Sequence, residues 1–109
     1  MEAMLCREAH VATDNLEEPI RSDVLQAIEV LRSFGAREVY LFGSVLRSPT
    51  SRTTGDIDIA VAGLPPEHFY RAYGALMMNL QSPVDLVDLD DDTAFVRTLR
   101  EDGALERVA

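Results

Sequence analysis

Apolar residues recur along this chain at two different periods, and the changes of period divide it into elements. Ile20, Val24, Ala27, Ile28, Leu31 and Phe34 follow three- and four-residue spacings, which predict a helix with Ser22 or Asp14 as candidate cap and Gly35 at its end. Glu38 to Phe42 reads as a strand that stops at Gly43-Ser44. Val45-Leu46-Arg47 predicts a short helical turn before Pro49, and the polar stretch Ser48 to Gly55 predicts a loop. Asp56 to Val61 is expected to form a second strand, and Gly63-Leu64-Pro65-Pro66 a turn. A helix from about Glu67 to Leu80 presents Phe69, Tyr73, Leu76, Met77 and Leu80 as an apolar face, with His68 beside it as a surface residue. After Pro83, Val84 to Asp88 reads as a third strand, and Phe95, Val96 and Leu99 predict a last helix over Thr93 to Glu101. The first 15 residues show no clear period and are expected to be flexible, which leaves 16–109 as one domain.

Helix, strand, strand, helix, strand, helix is the order of an α/β fold in which helices pack on one face of a small mixed sheet. Side chains two residues apart in a strand point the same way. Asp56 and Asp58 therefore share a face, and a third acid joins them if the Val84 strand lies beside theirs. Asp85 and Asp88 have opposite parity in that strand. Asp85 is the expected partner because it lies mid-strand, whereas Asp88 adjoins the solvated run Asp90-Asp91-Asp92, expected to cap the last helix.

Composition narrows the chemistry. A chain of 109 residues has room for one small core. Its net charge of −9 excludes a broad basic field for nucleic acid. The chain holds ten arginines and no lysine, so phosphate must be gripped by arginine, backbone N–H groups, hydroxyls or a metal. Arg47 and Arg52, in the polar loop, are the arginines placed to contact a triphosphate. Cys6 is the single cysteine and implies neither an internal disulfide nor a thiolate zinc site. The opening residues lack the apolar block of a signal peptide, and no apolar stretch matches a membrane span, so a cytoplasmic protein is expected.

Like charges on one face of a half-buried strand need a counter-ion. Asp56, Asp58 and Asp85 offer three carboxylates to a hard cation, and a pair of Mg²⁺ ions is the expectation. Gly43 lets a phosphate approach the backbone, and Ser44 adds a hydroxyl and the N–H groups of the following turn. A haloacid-dehalogenase-type phosphatase does not fit, because Thr53-Thr54-Gly55 precedes the acid pair and lysine is absent. A calcium loop starting at Asp88 does not fit either, with Thr93 where glycine is needed and Leu99 where glutamate is needed. An edge strand charged against aggregation is the plainest alternative for Asp56 and Asp58.

Gly43-Ser44, then Asp56-Ile57-Asp58, then Asp85 on a later strand resembles the minimal nucleotidyltransferases of the DNA polymerase beta superfamily, over Glu38 to about Asp88. Eleven residues, Val45 to Gly55, separate Ser44 from Asp56 where ten are usual, Ser48 stands in place of a second glycine, and Gly55 in place of a serine. The resemblance implies a palm-like nucleotidyltransferase fold and Mg²⁺-dependent transfer of a nucleoside monophosphate, AMP from ATP, to an acceptor hydroxyl. It assigns Gly43 and Ser44 to the nucleotide and Asp56, Asp58 and Asp85 to the metal and to catalysis. Members this short resemble antitoxins whose helical HEPN-type toxin partners are modified on tyrosine. The alternative is a binding module that masks such a partner by contact, with weak or no catalysis. An aminoglycoside acceptor and polynucleotide synthesis are weaker readings, and homo-oligomerisation stays open.

Overall fold

The computed structural model describes residue 16 and residues 18–43, 56–103 and 105–109. The expectations for Cys6, Asp14, the first 15 residues, the Val45 to Arg47 turn, and the loop with Arg47 and Arg52 lie outside the described residues. Helix α1 spans Ile20–Ser33, strand β1 Glu38–Phe42 and strand β2 Ile57–Ala62. A 3-10 turn, Pro66–His68, leads into helix α2, Phe69–Asn79, and β3 spans Val84–Asp88. Helix α3, Ala94–Glu101, and a two-residue strand β4, Glu106–Arg107, complete the order. The sheet order is β3-β2-β1-β4. β1 pairs antiparallel with β2 and β4, and β2 pairs parallel with β3.

The apolar stripe of α1 is buried as the spacing predicts, with Ile20, Val24, Ala27 and Leu31 in the core. The helix ends where Gly35 takes a left-handed φ of 109°. There the Gly35 N–H donates to the Arg32 carbonyl and the Ala36 N–H to the Leu31 carbonyl, each at 3.0 Å, which satisfies two carbonyls of the last turn. Its start differs from expectation: Ser22 lies inside the helix, and its N–H donates to the Glu18 carboxylate at 3.1 Å. The Ser22 side chain, and after it this backbone bond, lower the Glu18 carboxyl from its ordinary value.

Strand alternation divides the core. Val39 and Leu41 of β1, Ile57, Ile59 and Val61 of β2, and Val84 and Leu86 of β3 face α1 and α2. The opposite parity is not left bare, because Val96 and Leu99 of α3 pack over Phe42 and Ala60, with Tyr40 and Val87 at the margin. The Asp90 to Asp92 run does not cap α3. Thr93 does, its hydroxyl oxygen accepting from the Val96 N–H at 3.1 Å, while Asp90 accepts from the Gly63 N–H at 2.7 Å. His68 is half-buried, not a surface residue: its Nδ1 bonds to the Phe34 carbonyl at 2.8 Å and joins the end of α1 to the start of α2. Among the described residues no helix is long and apolar enough to cross a membrane.

The approach to β3 is fixed by Asp23, which is 4% exposed on the apolar side of α1. Its two carboxylate oxygens accept from the Gln81 and Ser82 N–H groups, each at 3.0 Å. A buried charge with two backbone donors is costly to remove, because both N–H groups lose their acceptor. Asp23→Ala is expected to cost about 2–3 kcal/mol in urea unfolding, with Asp23→Asn in between. A loss below about 0.5 kcal/mol for Asp23→Ala would contradict the assignment.

Candidate active site

The same alternation that buries Ile57 and Ile59 turns Asp58 to the second face, and the one that buries Val84 and Leu86 does so for Asp85. Strand register then aligns them, since Phe42 is the partner of Asp58 across β1 and β2, and Asp58 is the partner of Asp85 across β2 and β3. Phe42, Asp58 and Asp85 form one row across the sheet. Neighbouring strands lie about 4.8 Å apart, so the two carboxylates stand side by side and repel. Asp58 is half-buried and Asp85 exposed. Asp56 sits just before β2 rather than in it and is exposed.

Gly43 closes the β1 end of this row. Its φ is 78°, and a Cβ placed there would collide with Asp58 Oδ2 and lie 3.1 Å from Asp58 Cγ. Glycine is therefore required twice, by the left-handed backbone and by the carboxylate against it. Ser44, assigned with Gly43 to the nucleotide, lies outside the described residues.

Tyr73 of α2, read from the sequence only as core, reaches past the β3 edge. Its hydroxyl stands 3.3 Å from both Asp85 Oδ1 and the Val84 carbonyl. With one proton it donates to one of these at a time. An aromatic at helical spacing on an apolar face carries no sign of such a contact, which arises from the placement of α2 against an edge strand. Among the described residues no three His, Cys, Asp or Glu side chains come together as a cation site. Asp58 and Asp85 nevertheless present the all-oxygen donors that a hard cation takes, on one face and in adjacent strands.

No protein-family model matches the sequence, and no curated protein matches it. Solved structures do. A chain from a toxin–antitoxin crystal structure with AMP-PNP is 30% identical, with a TM-score of 0.59, over 75% of this chain and 68% of that one. The chain belongs to the minimal nucleotidyltransferase family. A second minimal nucleotidyltransferase match is the tri-AMPylated Shewanella oneidensis HEPN toxin in complex with MNT antitoxin, at 26% identity and a TM-score of 0.59, covering 82% of this chain and 71% of that one. A third, the MntA–HepT toxin–antitoxin, shares 26% identity with a TM-score of 0.58 and the same two coverages, 82% and 71%. The mixed four-stranded sheet of this chain is thus the nucleotidyltransferase fold that the family resemblance implied.

Burial raises the Tyr73 phenol above its ordinary value, and the charge of Asp85 adds to the shift. The folded state thus holds this proton more tightly than the unfolded chain. Its contribution to stability is intact below pH about 10 and is lost as pH rises through the folded-state value. In a spectrophotometric titration, Tyr73→Phe is expected to remove a late-titrating tyrosinate component, and Asp85→Asn to move it to lower pH. Identical alkaline limbs for the unaltered chain and Asp85→Asn would rule out the contact.

Proposed function

We propose that the chain is a Mg²⁺-dependent nucleotidyltransferase that moves AMP from ATP to an acceptor hydroxyl, the acceptor being a tyrosine of a helical HEPN-type toxin. The observation that carries this reading is the row in which Asp58 and Asp85 stand side by side, with the Gly43 backbone pressed against Asp58. The AMP-PNP in one similar toxin–antitoxin and the AMPylated HEPN toxin in another support the choice of donor and acceptor. Asp56, Asp58 and Asp85 would hold the metal, which would supply charge neutralisation for the phosphates and polarise the acceptor hydroxyl.

The rest of the chemistry falls to the chain itself. The phosphates would be met by the backbone N–H groups of Gly43 and Ser44 and by the Ser44 hydroxyl. The acceptor oxygen bonds to the α-phosphorus as the α–β bridging P–O bond breaks, and pyrophosphate departs with that electron pair. The acceptor proton passes to the Asp85 carboxylate, which the Tyr73 hydroxyl orients from the far side. In-line displacement of this kind is governed mainly by position and charge, which suits a site made of strand carboxylates.

A contact-acting antitoxin is favoured by one observation, the lack of a closed three-acid cluster among the described residues. Labelled ATP and Mg²⁺, with and without a HEPN-type toxin, separate the two readings. Asp58→Asn combined with Asp85→Asn is expected to reduce label transfer about a hundredfold or more. Unchanged transfer by the double variant would remove the catalytic reading; toxin neutralisation by a variant unable to transfer label would favour contact alone.

A further inference from the structure

Phe95 is 53% exposed, an unusual place for a phenylalanine only because of what lies beside it. Single exposed apolar side chains are ordinary on a soluble surface, and Tyr70, Met77 and Met78 on α2 need no ligand to explain them. Phe95 differs in position. Its ring meets the Phe42 ring edge to face, with centroids 6.1 Å apart and planes at 65°. Phe42 is itself the register partner of Asp58 and the residue before Gly43. The exposed ring is therefore held next to the carboxylate row, on the same face of the sheet, and propped by a buried aromatic neighbour.

We propose that Phe95 is the stacking platform for the base of the bound nucleoside triphosphate. This rests on the nucleotidyltransferase reading of the Asp58 and Asp85 row. A nucleotide with its phosphates at Gly43 and the carboxylates must send its base outward along one side of the row. Toward β3 it meets the exposed Asp85 carboxylate, whereas toward β1 and the start of α3 it meets Phe42 and Phe95. A flat apolar base gains more against an aromatic face than beside a carboxylate. The edge-to-face contact with Phe42 fixes the Phe95 ring in advance, so little side-chain freedom is lost on binding. Stacking recognises the π-face common to all bases, so the platform favours nucleotides over bare polyphosphate without choosing among bases.

The test uses the full chain with Mg²⁺ and compares calorimetric binding of ATP, GTP and inorganic tripolyphosphate. Phe95→Ala is expected to weaken ATP and GTP about tenfold and to leave tripolyphosphate within twofold. Phe95→Tyr should restore both nucleotides. Phe95→Leu preserves apolar volume for α3, and in this variant the upfield shift of the adenine protons expected in NMR spectra of the unaltered chain should vanish. Nucleotide affinity unchanged in Phe95→Ala, or an equal loss for tripolyphosphate, overturns the platform while leaving the nucleotidyltransferase reading intact. Failure of the unaltered chain to bind ATP at all overturns both.

Discussion

Parallel pairing of β2 with β3 places two carboxylates next to each other, and much of the molecule is arranged around that unfavourable contact. Asp58 and Asp85 are register partners, with Ile57 and Val84 in the row before them and Ile59 and Leu86 in the row after. The flanking rows bury four apolar side chains against α1 and α2. Sliding β3 by one residue would relieve the charges but turn Val84 and Leu86 out of the core. Burial of these side chains, each worth about 1.5–3 kcal/mol, outweighs repulsion between two partly solvated acids, which is at most about 1 kcal/mol. The core thus holds the two carboxylates side by side.

Three contacts keep that register in place from different directions. Asp23 grips the two N–H groups just before β3, Tyr73 braces Asp85 from α2, and Gly43 brings the β1 backbone against Asp58. None is a contact between the acids themselves, and each comes from an element whose main work is apolar packing. α3 adds the fourth side. By covering Phe42 and Ala60 it shields part of the second face and leaves the two carboxylates beside an apolar patch.

The strands and the face of each of their aspartates are legible because period-two alternation declares both, whereas the adjacency of β2 to β3 enters the sequence reading only as a condition and is supplied by the sheet register. Gly35 was legible as a helix end for the same local reason. What escaped were contacts made at a distance. Asp23 sits on the helical stripe between Ile20 and Val24, where an acid breaks the apolar pattern, yet its partners lie 58 and 59 residues away. β4 has only two residues, too few to show a period. Local pattern made α3 amphipathic but did not say which side of the sheet it would cover. The aspartate run looked like a cap, but Asp90 is drawn off to Gly63 and the cap falls to Thr93.

The chain belongs to the minimal nucleotidyltransferase family, and the proposed function sets its chemistry at this row of carboxylates. Under the proposed function, Asp58 and Asp85 share a divalent cation. Paramagnetic broadening of backbone amide signals by Mn²⁺, with an ATP analogue carrying a methylene α,β bridge, tests it most directly. The account expects broadening centred on Gly43, Asp58 and Asp85, abolished when both aspartates are replaced by asparagine. Broadening centred on Asp90 to Asp92, with the Asp58 and Asp85 signals left sharp, would contradict it.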